Sequence, residues 1–171
     1  MDEVKIYLGC DLFTEGQRLQ ATWVQNELEK RLGKRVNIYN PANNLEINNK
    51  EAGFASGADI LMADYARLKE STILIALMDT YDIGLAAEMG IAFERGIAIF
   101  QLYTDIRLGG NDKQDKYEAM QKDIFQNDFL YINKLVTGLS YIDNSGRKFL
   151  EARIFQSKEK LVDALVKFIE A

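Results

Sequence analysis

The run Thr72-Ile73-Leu74-Ile75-Ala76-Leu77-Met78-Asp79 constrains the fold of this chain more than any other segment. It is apolar almost throughout and reads as a buried strand over 72–78. Directly behind it comes Asp82-Ile83-Gly84-Leu85-Ala86-Ala87-Glu88-Met89-Gly90-Ile91-Ala92, which predicts a helix over 84–95 with an acid near its start. A buried strand feeding a helix is half of a βαβ unit, and the rest of the chain repeats the alternation.

Val4 to Cys10 reads as a strand, and Thr14 as the N-cap of a helix running to about Gly33, with Gln17 three residues on. Leu19, Trp23, Leu28 and Leu32 form its apolar stripe. Val36 to Tyr39 is a second strand, ended by the sole proline, Pro41, which opens a polar loop from Ala42 to Glu51. A helix is expected over Ala52 to Glu70, with Ile60, Leu61, Ala63 and Leu68 inward. Gly96 to Tyr103 gives a fourth strand. Further on, 113–125 reads as a helix, the segments 135–142 and 148–154 as holding a short last strand, and Ser157 as the start of a terminal helix with Leu161, Leu165 and Phe168 inward. Such alternation predicts an α/β fold, with a mainly parallel, doubly wound, flavodoxin-like sheet and helices on both faces. No repeat or linker interrupts it, so residues 1–171 read as one domain.

Composition narrows the chemistry. The chain has no histidine and one cysteine, so an internal disulfide is excluded, a metal site is not expected, and carboxylates become the first catalytic suspects. A net charge of −5 with scattered basic residues disfavours nucleic acid as a partner. The densest basic group, Lys30 to Arg35, falls where it complements the end of the first helix. Apolar runs are too short for a membrane helix, and Met1-Asp2-Glu3 leads straight into a strand with no secretory signal, which points to the cytoplasm.

In open parallel sheets ligands bind beyond the carboxyl ends of the strands, at the switch in strand order. That edge gathers Gly9 to Phe13 and Asp79 to Glu88. Gly9 and Gly84 leave room for close approach of a ligand to the backbone. Glu88, held near a helix start, is expected to be ionised and therefore nucleophilic. Asp82 could carry a proton, and Asp64 could face a polar pocket. Each residue also has a bland alternative: Glu88 as a stabilising acid early in a helix, Asp82 as an N-cap, Asp79 as a turn residue, Tyr7 as core, and Asp64 as an exposed helix residue. The first turn lacks GxGxxG and no Walker pattern occurs, so neither a dinucleotide site nor a P-loop is expected.

Taken together, Ile6-Tyr7-Leu8-Gly9 with Phe13, the helical Asp64, and the D-x-G-x-x-x-E-x-G pattern from Asp82 to Gly90 resemble the nucleoside 2-deoxyribosyltransferase family over roughly residues 4 to 103, with a weaker likeness at Tyr131 to Leu135. The resemblance implies a flavodoxin-like fold and a cofactor-free enzyme acting on a nucleoside or nucleotide and a free base, usually as a homodimer or larger assembly. It makes Glu88 the nucleophile on the anomeric carbon, oriented by Tyr7. It gives Asp82 the departing base, Asp64 the sugar hydroxyls and Phe13 a flank of the base. Asn133 would reach the sugar end of a neighbouring subunit's pocket. The Asp105 to Gly110 segment departs from the better-known bacterial members; Asp105 with Arg107 reads as an ion pair bracing a loop, with substrate binding as the alternative. Two other readings remain open: a hydrolase of deoxynucleoside 5′-monophosphates, which Asp11 in the first loop disfavours, and a nucleoside- or nucleotide-binding module without turnover.

Overall fold

The computed structural model describes residues 3–44, 55–80, 82–106, 115, 118, 122 and 133–171. Strand β1 (Val4–Gly9) leads through Thr14, whose hydroxyl accepts from the Gln17 amide, into α1 (Glu15–Leu32). Next come β2 (Val36–Tyr39), α2 (Gly57–Glu70), β3 (Ile73–Leu77), α3 (Ile83–Glu94) and β4 (Ala98–Leu102). A short α4 (Lys134–Gly138), β5 (Ile154–Phe155) and α5 (Lys158–Glu170) complete the described chain.

The sheet is parallel throughout, in the order β2-β1-β3-β4-β5. This is the flavodoxin-like order, and the chain reverses direction across the sheet between β1 and β3. The two-residue period of the strands divides the core. Ile6, Leu8, Ile73, Ile75 and Leu77 face α1 and α5, meeting Val24, Leu28, Leu161 and Leu165. Tyr7, Leu74 and Ala76 face the other way, meeting Leu68 of α2 and Leu85, Met89 and Ala92 of α3. All five residues of β3 are buried, as a central strand covered on both faces requires.

Several expectations need correction. The described part of the second helix begins at Gly57, where Ser56 and Asp59 form a reciprocal capping box that fixes the start; residues 52–54 lie outside the described ones. Ile60 and Leu61 are exposed, at 42% and 56%, because α2 meets the sheet through its other end, at Leu68. Leu19 is also exposed and Trp23 only half-buried; Ala21, Val24, Leu28 and Leu32 form the true inward stripe of α1. Phe168 packs edge-on against Phe100 at 5.2 Å yet stays partly exposed at the rim. The basic group does fall at the end of α1, with Lys30 and Arg31 in its last turn, and it also ties α1 to α5, since Arg31 pairs with Asp163 and Arg35 with Glu170. Where a last strand was sought, 134–138 is helical, Ile142 and Lys148 form an isolated antiparallel bridge, and the strand itself is Ile154–Phe155. Of the predicted helix over 113–125 the described residues Asp115, Glu118 and Lys122 are helical; its other residues, the loop before it and Arg107 lie outside the described residues.

Candidate active site

At the switch point a cleft of about 270 Å³ opens beyond the ends of β1 and β3. Gly9 and Glu88 form part of its lining, with Asp64, Asp82, Gly84 and Phe13 around them. Each comes from a different piece of local structure. Tyr7 sits on the central strand β1 and is fully buried, so its hydroxyl needs a partner inside the protein. It donates to Glu88 Oε1 at 2.6 Å. Gly9 makes this approach possible: a Cβ there would collide with Leu85 Cδ1 and stand 3.3 Å from Glu88 Oε2.

Asp82 is the N-cap of α3, its carboxylate accepting from the Leu85 amide at 2.6 Å. That bond uses Oδ1 and leaves Oδ2 with no hydrogen bond among the described residues, while the side chain lines the cleft. Gly84 adds to this corner, since a Cβ would lie 3.1 Å from Asp82 Oδ1. Asp64 projects from the half-buried face of α2. Phe13 is 84% exposed at the mouth, a free aromatic surface on the loop after β1. That loop is shaped by Asp11, which accepts from the Phe13 amide at 2.7 Å.

The electrostatics differ from expectation at one point. Burial pushes the Glu88 carboxyl up to about 7; the Tyr7 hydrogen bond opposes this, and the charges of Asp64 and Asp82 add to it. A fully ionised Glu88 was expected from the helix N-terminus. The residue lies past the first turn, where the dipole has faded, and Asp82 already occupies the Leu85 amide. Desolvation therefore dominates. Burial likewise raises Asp64, offset in part by the Tyr7 hydroxyl. Tyr7 is held far above its ordinary value by burial and by Glu88, so it stays a proton donor. Cys10, in the cleft wall, is pushed up to about 12 by burial and then by Asp11, Glu88 and Asp82. A thiol so placed is not a thiolate nucleophile.

Sequence reasoning missed Tyr39, Pro41 and Asn44, which wall the cleft from the end of β2. Tyr39 pairs in register with Tyr7, their rings 5.4 Å apart, and Asn44 Nδ2 donates to its hydroxyl at 3.0 Å. The usable signal was period: two tyrosines on one face of adjacent parallel strands. Asn133 stands apart from the main cleft. It caps α4 through the Leu135 and Val136 amides and lines a separate hollow with Asp82 and Tyr103. Asp79 ties β3 to β4 by accepting from the amide and hydroxyl of Thr104 and from Gln20. Among the described residues no group of three or more Cys, Asp or Glu side chains converges as metal ligands would, and no helix is long and apolar enough to cross a membrane.

Comparison with curated proteins finds no match. Among solved structures, a conserved protein from Enterococcus faecalis V583 is 30% identical, covers 97% of this chain and 99% of its own, and superposes with a TM-score of 0.77. The Clostridium botulinum CMP N-glycosidase BcmB shares the fold at 16% identity and a TM-score of 0.53, over 96% of this chain and 98% of its own. The family model for nucleoside 2-deoxyribosyltransferase matches residues 6–134, which takes in β1, the Asp64 helix and the Asp82–Gly90 segment, and by that match the chain belongs to this family.

Proposed function

We propose that this protein is an enzyme that breaks and re-forms the N-glycosidic bond of 2′-deoxynucleosides through a covalent deoxyribosyl–Glu88 intermediate. The observation that carries the reading is Glu88 itself: a desolvated carboxylate on the cleft wall, fixed by the Tyr7 hydroxyl at 2.6 Å, with Asp64 and Asp82 beside it. In the first displacement a Glu88 oxygen bonds to C1′ as the C1′–N bond breaks. The base leaves with the bonding pair and takes up a proton through Asp82. In the second, an acceptor base attacks C1′, gives up its proton along the same route and releases the Glu88 carboxylate; water in its place gives hydrolysis. An anion beside the reacting carbon stabilises the oxocarbenium character of both transition states. Asp64 holds the sugar hydroxyls, Gly9 and Gly84 allow close approach, and Phe13 covers the base.

The charge of the cleft supports a nucleoside over a 5′-monophosphate. Asp64, Asp82 and Glu88 line it, and no Lys or Arg does among the described residues. A phosphate dianion would be repelled there. The fold shared with a CMP N-glycosidase keeps monophosphate hydrolysis as the second reading. Residues 1–171 are read as one domain of a cytoplasmic protein. The exposed Ile60, Leu61 and Met62 on α2, beside the cleft, suit a homodimer or larger assembly in which a neighbour's Asn133 completes the sugar end.

Incubation of a deoxynucleoside with a second free base should yield the exchanged nucleoside. Release of base only from 5′-monophosphates would favour the second reading. Binding without turnover across a broad substrate panel would reduce the protein to a binding module.

A further inference from the structure

At the opposite end of the sheet, where β4 begins, a second cavity of about 270 Å³ opens between the end of α3, the turn at 143–147 and the approach to β5. Its distinctive side chain is Arg153. The guanidinium carbon lies 3.9 Å from the ring centre of Phe149, 4.9 Å from that of Phe168 and 5.2 Å from that of Phe100. The rings brace the guanidinium by cation–π contact but offer its N–H donors no acceptor. Among the described residues those donors make no hydrogen bond or ion pair, and the group is only half-buried, so they look into the cavity.

The facing carboxylate is already engaged. Asp143 Oδ1 accepts from the Ser145 amide and hydroxyl and from the Arg147 amide, and Oδ2 accepts from Arg147 Nε at 3.0 Å. Arg147 and Asp143 thus pair with each other, and Arg153 feels the Asp143 carboxylate only through space, with no hydrogen bond or ion pair to it. Desolvation opposes the guanidinium charge: burial holds Arg153 below the usual arginine range. A partly desolvated guanidinium, orientation fixed and fork unfilled, is complementary to a planar or tetrahedral oxyanion that accepts two parallel hydrogen bonds.

We propose that this cavity is a second ligand site, taking a small oxyanion (a phosphate or carboxylate group) on Arg153 with Arg147 alongside. A single guanidinium fork with Arg147 alongside suits an inorganic ion or a short organic phosphate or acid. The site is at the far end of β4 from the cleft, and binding there requires no turnover, so its failure leaves the N-glycosidic reading untouched.

The test is calorimetric titration of the intact protein with inorganic phosphate and, separately, with malonate, at ionic strength held constant with chloride. Saturable binding of either is expected. Arg153→Gln should weaken it by about tenfold or more, with Arg153→Lys in between because it keeps the charge and loses the fork. Glu88→Gln should leave it unchanged, which separates this cavity from the cleft. Should Arg153→Gln fail to fold, the Nε–H resonance of Arg153 in the parent protein must move on titration. Absence of saturable binding, equal affinity in a folded Arg153→Gln protein, or an unmoved Nε–H resonance would each overturn the proposal and leave Arg153 as a brace between rings.

Discussion

Replacing Glu88 with Gln should stabilise the protein increasingly as pH rises from about 4.5 to 7, fully above that, and change little below about pH 4.5. The carboxyl ionises near 4.5 in an ordinary environment and at about 7 in this cleft. Below the first value both folded and unfolded chains hold the proton. Between the two, the folded chain still binds a proton that the unfolded chain has lost, so each rise in pH removes stability. Above about 7 the loss is complete. At roughly 1.4 kcal/mol per pH unit this amounts to about 3 kcal/mol, the free energy of ionising Glu88 among Asp64, Asp82 and the apolar wall. Gln carries no charge to desolvate, and its carbonyl can still accept from Tyr7. In a domain of this size 3 kcal/mol corresponds to roughly 6–12 °C in Tm, an upper bound that local relaxation will reduce. The assay is thermal unfolding of both proteins from about pH 4.5 to 9 in one buffer series. The difference in Tm should open between about pH 4.5 and 7 and stay constant above, with the variant the more stable. A constant difference across the range, or a less stable variant at high pH, would refute the argument that burial dominates at Glu88.

The same carboxyl sets the pH dependence of turnover: kcat/KM should fall below about pH 7 as Glu88 takes up its proton. Tyr7→Phe removes the hydrogen bond that favours the ionised form, so that limb should move to higher pH with the fold intact, as read by pH–rate profiles and circular dichroism. Gly9→Ala forces a methyl against Leu85 and Glu88 and should cost about 1–3 kcal/mol in denaturant unfolding as well as most activity. Asp82→Ala should lose about 1 kcal/mol through its N-cap, whereas Asp82→Asn keeps the cap and should lose turnover alone, read by unfolding and rate side by side. Gln101→Leu removes a buried amide that donates to Ser140 Oγ and the Val136 carbonyl and accepts from the Tyr103 hydroxyl, and should cost about 2–3 kcal/mol on unfolding.

The sheet was legible because β1, β3 and β4 are apolar runs, with Thr14 and Asp82 capping the helices that follow the first two and Ser157 the helix after the edge strand β5. Inward faces were less legible. Ile60 and Leu61 look like core by composition, yet α2 packs through its far end at Leu68 and leaves them exposed. The cleft was legible where it is local in sequence, from Asp82 to Glu88. It was not legible where it depends on register, because Tyr39 joins the wall only through β2 pairing beside β1. The protonation of Glu88 was misjudged for the same reason. Helix position can be read from the chain, whereas desolvation and two neighbouring carboxylates are properties of three elements brought together.

That cost bears directly on the proposed chemistry. A carboxylate whose charge is poorly solvated gains more than an exposed one when it becomes an uncharged ester, and a bond from Glu88 to C1′ does that. The environment that raises the Glu88 pKa therefore also favours the covalent intermediate over the free anion. Tyr7 sets the opposing limit. Its 2.6 Å hydrogen bond keeps enough of the carboxylate ionised near neutrality to react, and it holds one oxygen while Oε2 lies toward Gly9. Stronger stabilisation of the anion would give a fully ionised but sluggish nucleophile; weaker stabilisation would give a protonated, inert acid. A pKa of about 7 lies between these extremes.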